Sequence, residues 1–402
     1  MMTMMCDLPH DLLGEKILAK VPITSLKAIR STCKLWNVLS KDFIVGKTTS
    51  RQHEFLGFMT IRSKVCSLRF GLRGIHNQDA LVDPSTKQVR LLDQVEITKI
   101  FHCDGLVLCV TKENSKLLVW NPYLGQTKWI ETRKQLHKSD MYALGCNNNS
   151  KVPNYKILRL HCCYDYYNHG RLSGSEIYNS MSESWSVLDL IPDCEIDYYQ
   201  RGVTLKGDTY FFARGTAPHE VGNDAGIIGL GVFMLCFDYT KERFGPHLTL
   251  PFTITDNRHE AVVLSCVREE QLAVLYEKSQ SNILDFWVTN KIESNVVSWS
   301  KFLKVDLTIK QPRHPLVHRN HGSFFIDEEK KVAVVFDIGL NDSSRHYATT
   351  AFIVGEEGYF TSVNIGKEPT RSGSSHPPLV SSSYLPSLLQ INQPHQRKET
   401  AV

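Results

Sequence analysis

The stretch His102-Cys103-Asp104-Gly105-Leu106-Val107-Leu108, followed by Val119-Trp120-Asn121-Pro122 and Trp129, decides the fold class of this chain of 402 residues. Its short apolar runs alternate with polar positions at the period of a strand, and Asp, Gly, Asn and Pro break the runs at close intervals. The unit reads as one hairpin around an acidic or glycine-bearing turn, then a loop, then a second hairpin. In that second hairpin the first strand ends in Asp or Asn and the return strand carries an aromatic or aliphatic residue. From about Phe55 onward the unit recurs. The first hairpin returns in Val203 to Phe212, in Leu264 to Tyr276 around Arg268-Glu269-Glu270, and in Phe324 to Phe336 around Asp327-Glu328-Glu329. Six hairpins of the second kind are read at Leu81-Val82-Asp83-Pro84 to Val89, Val119 to Trp129, Ile177-Tyr178-Asn179 to Trp185, Cys236-Phe237-Asp238 to Phe244, Phe286 to Trp299, and Phe352 to Phe360.

Asp or Asn at such a corner can bond its own backbone two residues on, and the aromatic on the return strand covers the neighbouring sheet. Units of four strands, each with an apolar face, are stable only when stacked, and radial stacking also shields their edges. The expected fold class is therefore mainly β with a small N-terminal all-α segment: an irregular β-propeller-like domain of about six blades. A β-sandwich with added hairpins is the alternative. Uneven spacing between units implies long, unequal loops on one face. Ring closure is expected from the termini, one of them completing the blade begun by the other. Phe55 to Ile61 and Val65 to Phe70 should then lie beside Ala351 to Val354 and Tyr359 to Val363.

In front of the β region, Leu8 to Asp42 reads as helical. Pro9 suits a helix start because its φ is already near the helical value and it has no N–H to leave unpaired. Leu12, Leu13, Ile17, Leu18 and Val21 recur at helical spacing, which predicts a helix from about His10 to Lys20. Pro22 breaks it, and a second helix capped from Thr24 or Ser25 places Leu26, Ile29 and Cys33 on its inner face. Trp36 and Leu39 continue that face beyond a kink near Cys33 and Lys34. So short a block buries too little apolar surface to be comfortably stable alone, which points to a docking module.

The block resembles an F-box, the segment that binds a Skp-type adaptor in cullin-RING ubiquitin ligases. The match runs through Leu8-Pro9, Asp11-Leu12, Ile17-Leu18, Val21-Pro22, Ser25-Leu26, Arg30, Cys33-Lys34 and Trp36. The resemblance implies adaptor-binding roles for Leu8, Pro9, Asp11, Leu12, Leu18, Val21, Pro22, Leu26, Ile29, Arg30, Cys33 and Trp36. The β region, from about Phe55 to Gly366, is similar to the F-box-associated domain of a large plant family related to kelch-type propellers. It is so at His102 to Leu106, Val119 to Pro122, Tyr178-Asn179 with Trp185, and Leu205-Lys206-Gly207-Asp208-Thr209-Tyr210. The double-glycine signature of true kelch blades is absent. Together the two resemblances imply a non-catalytic substrate-recognition subunit of a ubiquitin ligase. It would have no cofactor, would reach cullin and a RING protein through the adaptor, and would bind a target protein through the β domain.

Composition agrees with that reading. A net charge of +4 with scattered Lys and Arg gives no reason to expect nucleic acid or an acidic membrane as partner. Eleven cysteines without framework spacing read as reduced thiols of a cytosolic or nuclear protein. No run approaches the roughly 18 apolar residues of a membrane helix. Other chemistry is thinly represented. Cys162-Cys163 has no Cys-x-x-Cys pair or compact Cys/His cluster with it, His314, His318 and His321 lie on a turn containing Pro315 rather than on a helix that would bring the imidazoles together, and Gly226 to Gly231 leads into a strand rather than a helix, so it reads as a loop and not a phosphate cradle. Tyr164, Tyr166, Tyr167, Tyr198 and Tyr199 fall near loops, as packing residues or as part of a binding face. A propeller-type enzyme or ligand-binding protein with an incidental helical extension would need convergent carboxylates or a metal on one face, and neither is evident. The expected domains are residues 1–45, the helical block; 46–366, the β domain; and 367–402, a mobile tail whose one apolar patch is Tyr384 to Ile391.

Overall fold

The computed structural model describes residues 9–10, 12–18, 21, 25–45, 54–73, 81–112, 116–133, 140–147, 154–163, 171–190, 192–196, 201–215, 231–254, 260–268, 270–278, 282–293, 296–308, 323–341, 346–365 and 384–391. Six antiparallel sheets follow one another along the chain as the blades of a β-propeller ring. Blade one holds β1 (Glu54–Ile61), β2 (Lys64–Arg73) and β3 (Leu81–Gln88). Blade two holds β4 (Ile97–Cys103), β5 (Leu106–Thr111), β6 (Lys116–Asn121) and β7 (Gln126–Glu131). Blade three holds β8 (Met141–Asn147), β9 (Asn154–Cys163), β10 (Arg171–Asn179) and β11 (Ser184–Leu188). Blade four holds β12 (Cys194–Ile196), β13 (Val203–Leu205), β14 (Asp208–Gly215), β15 (Val232–Asp238) and β16 (Arg243–Thr249). Blade five holds β17 (Ala261–Val267), β18 (Gln271–Glu277), β19 (Ile283–Ile292) and β20 (Val297–Asp306). Blade six holds β21 (Ser323–Asp327), β22 (Val332–Asn341), β23 (His346–Gly355) and β24 (Phe360–Asn364).

The recurring sequence unit explains the blade. Cys103 pairs with Leu106 and Leu205 with Asp208, leaving two-residue turns at Asp104-Gly105 and Lys206-Gly207. All four turn residues have positive φ, from 44° to 91°, the mirror-image turn whose twist matches that of the flanking strands. At the second corner the expected side-chain bonds form: Met181 N–H donates to Asn179 Oδ1 (2.9 Å) and Thr240 N–H to Asp238 Oδ1 (2.9 Å). The return-strand tryptophans latch onto the preceding blade. Trp185 Nε1 donates to the Glu131 carbonyl (2.9 Å) and Trp299 Nε1 to that of Thr249 (3.0 Å).

Five of the six second-type hairpins are as expected. The exception is Asp83-Pro84, which is no corner: β3 runs straight through it, with Pro84 opposite Phe70. Proline cannot donate to a ladder, so it is tolerated where one side of the strand is unpaired, and β3 is the edge of its sheet.

Blade one is also inverted relative to its neighbour. Tyr384 donates its backbone N–H to the Leu56 carbonyl (2.7 Å) and its hydroxyl to the Gly105 carbonyl (3.2 Å), so the start of β1 lies where β4 turns back. The far end of β1 lies where β4 begins, since Ile97 N–H donates to the Ser63 carbonyl (2.7 Å). β1, β2 and β3 therefore occupy the second to fourth places of a blade, and Tyr384 meets the open inner edge of β1. The C-terminal segment completes blade one through Tyr384, and β1 and β2 lie beside β23 and β24 as expected, though in a separate sheet. Those strands form their own sheet and seal the ring by packing: Met59, Leu68 and Leu72 share a core with Phe336, Ala351 and Ile353.

The expectation of a mobile tail over 367–402 is corrected for 384–391. Tyr384 stacks edge-on against Phe58 at 5.0 Å, and both Tyr384 and Ile391 are buried. Asn121, fully buried at the second corner of blade two, donates to the carbonyls of Ser387 (3.1 Å) and Leu389 (2.8 Å). Gly105 is required beneath this strap, because it has φ +73° and a Cβ there would sit 2.3 Å from Ser387. Residues 367–383 and 392–402 lie outside the described residues.

Candidate functional site

Meander order fixes two faces. In blades two to six the turns joining first to second and third to fourth strands lie on one face, and the remaining connections on the other. Turns such as 104–105, 122–125 and 206–207 mark the short-turn face. Connections 132–140, 216–231, 250–260 and 307–322 leave from the long-loop face.

The helical block sits on the short-turn face of blade two. It consists of a π-helical segment (Leu12–Ile17), α1 (Leu26–Arg30) and α2 (Lys34–Val45). The expected break near Cys33 is present. Ser25 precedes α1 but makes no side-chain capping bond. Leu13, Leu18, Leu26 and Leu39 are buried in one continuous core with Phe58, Trp120 and Tyr123 of the ring. The corner 121–125 is gripped from both helices. The Arg30 guanidinium donates to the Tyr123 carbonyl and lies 4.2 Å over the Tyr123 ring. The buried Tyr123 hydroxyl donates to the Ser40 carbonyl (3.0 Å), and Lys27 Nζ to the Gly125 carbonyl (3.2 Å).

These placements sort the expected adaptor residues. Leu8, Asp11 and Pro22 lie outside the described residues. Pro9 and Leu12 are exposed, Leu12 to 45 %. Val21, Ile29, Cys33 and Trp36 are half-buried, the first two and Trp36 packed against the core. Leu18 and Leu26 are fully buried, the ring supplying the apolar cover that so short a block lacks by itself, and Arg30 is turned toward the ring. They form the packed underside of the block. Val38, 54 % exposed on α2, falls outside the apolar stripe that marks the inner face. Tyr123 was missed because its sequence context is only that of a hairpin corner.

Toward the long-loop face, blade three carries buried charge. Arg159 of β9, paired across the sheet with Tyr142 of β8 and Glu176 of β10, donates to Asp140 Oδ2 (2.7 and 3.0 Å) and reaches Glu176 Oε2 at 3.4 Å. His161 lies 3.7 Å from Asp140 and 3.5 Å from Glu176, and Lys99 Nζ donates to the Asp140 carbonyl (2.9 Å). One guanidinium between two carboxylates satisfies buried charge and stiffens the floor of this face. Blade four's inner strand is interrupted between β12 and β13, and Arg201 crosses from the break to Ser323 of blade six. Burial lowers its pKa to about 10. The five loop tyrosines and His314, His318 and His321 lie outside the described residues.

A six-bladed ring with a helical block fixed to one face defines a class: an F-box-type module joined to a β-propeller. Residues 56–391 match the model of the F-box associated beta propeller domain. The chain is 50 % identical to the F-box/kelch-repeat protein At3g13680 of Arabidopsis thaliana, over 99 % of this chain and 100 % of that one. It is 48 % identical to the F-box protein At3g49510 of the same plant, over 97 % of this chain and 100 % of that one. The chain belongs to the F-box-associated β-propeller family.

Proposed function

We propose that this protein is the substrate-recognition subunit of a Skp–cullin–F-box ubiquitin ligase of the cytosol or nucleus, with no catalytic residue of its own. The helical block docks to a Skp-type adaptor, which connects it to cullin and a RING protein, and the propeller holds a target protein. Rate enhancement comes from proximity: a target lysine held near the ubiquitin thioester reacts at a raised effective concentration. The observation that carries this reading is the helical block itself, which keeps Leu12 and Val38 exposed on touching elements although a folded core lies directly beneath. Isolated exposed leucines need no explanation, but a pair on a module of this family supports a docking surface.

The test is co-purification of the full chain with a Skp-type adaptor. Leu12→Asp with Val38→Asp should reduce adaptor retention at least tenfold, the loss of about 1.4 kcal/mol or more expected of interface anchors. The melting temperature should not change. Wild-type retention by this double variant overturns the proposal.

A further inference from the structure

Cys103 ends β4, Asp104 is the first residue of the turn that follows, and Cys146 is the penultimate residue of β8, the inner strand of the next blade. Their donor atoms all lie within 4.8 Å of one another, and the two sulfurs are 3.1 Å apart. Cys103 and Cys146 are buried, whereas Asp104 is half-buried and opens the cluster toward the short-turn face. The buried Tyr239 ring closes the cluster from blade four, lying against Gly145 so closely that a Cβ there would meet it at 2.1 Å.

We propose that Cys103, Asp104 and Cys146 form a binding site for a thiophilic divalent cation of the zinc class, which clips blade two to blade three at their inner strands. Two thiolates and a carboxylate are a donor set for such an ion, whereas magnesium and calcium take oxygen ligands. Zinc–sulfur bonds of about 2.3 Å in a tetrahedral site hold two sulfurs roughly 3.8 Å apart, so a small outward shift of each sulfur accommodates the ion. A peroxide-sensing thiol pair is the other chemistry these sulfurs suggest, and Asp104 argues against it. Reactive thiols sit in accessible, electropositive surroundings, but here both sulfurs are buried and face a carboxylate. A divalent cation suits such surroundings, since its charge answers the carboxylate and coordination displaces the thiol proton. Binding forms two metal–thiolate bonds and one metal–carboxylate bond and releases the two thiol protons, with no oxidant or reductant. Among the described residues no fourth His, Cys, Asp or Glu completes the group, so water takes the remaining position.

The test is cobalt(II) titration of the chelator-treated full chain under reducing conditions. One equivalent should produce thiolate-to-cobalt charge-transfer absorption, and zinc should bleach it. Cys103→Ser and Cys146→Ser should each abolish the band. Asp104→Asn, which suits the same positive-φ turn, should keep the band but bind at least tenfold more weakly. Absence of the band in the wild type overturns the site, as does a band that survives both serine variants or one indifferent to Asp104→Asn. A chain that binds no cobalt yet loses a pair of hydrogens at Cys103 and Cys146 on treatment with peroxide also overturns it, in favour of a redox pair. Should a serine variant fail to fold by circular dichroism, the Asp104→Asn affinity decides alone.

Discussion

The two faces of the ring are built from the same strands and differ in what holds them. On the short-turn face of blade two, the helical block, the corner at Tyr123 and the strap 384–391 interlock through buried hydrogen bonds and one continuous apolar core. On the long-loop face, connections of unequal length leave a floor in which the buried Arg159 is shared between Asp140 and Glu176. One face therefore fixes geometry and the other leaves room for change.

The difference breaks most severely at the strap. Tyr384→Ala should cost about 3–5 kcal/mol, as aromatic truncations in a packed core do, while a chain ending at residue 391 should unfold within about 0.5 kcal/mol of the full one. Urea denaturation of both checks this. Next is pH. The His102 ring lies 5.3 Å from that of Tyr384, tilted by 55°, and burial lowers its pKa from 6.5 to about 4. Its stabilising share, about 3 kcal/mol, is complete above pH 6.5 and lost as pH falls through 4. His102→Gln should flatten the fall in melting temperature across that window; an equal fall in both proteins would refute the assignment. A smaller effect is expected at the grip. Tyr123→Phe removes the hydroxyl that serves Ser40, so about 1 kcal/mol should be lost, with faster amide exchange in α2 than in blade two. Equal acceleration throughout would mean the grip is not local. The smallest effect belongs to the other face: doubling the connection between β14 and β15 with Gly and Ser should cost only about 0.6 kcal/mol.

Blade number and corner chemistry were legible in the sequence because each blade repeats a local turn whose residues act on their own backbone. Asp83-Pro84 misled because proline marks a corner and an edge strand equally well, and only pairing partners distinguish them. The helical block was legible as a module but not as a packed one. Its leucines read alike by periodicity, and which of them the ring covers depends on Tyr123, nearly a hundred residues on. Cys103 and Cys146 stayed invisible as a pair for the same reason, since motif spacing is a property of one segment and theirs arises between blades.

Tyr384 closes the circle with a bond to Gly105 across 279 residues of chain. Synthesis is directional, so blade one must wait with its inner edge open until every other blade has left the ribosome, and the slowest search in folding is reserved for the final contact. A message interrupted shortly before Tyr384 would yield a chain with six sheets already formed and one exposed strand edge. That product is prone to join its own kind, and is the sort that cellular quality control removes.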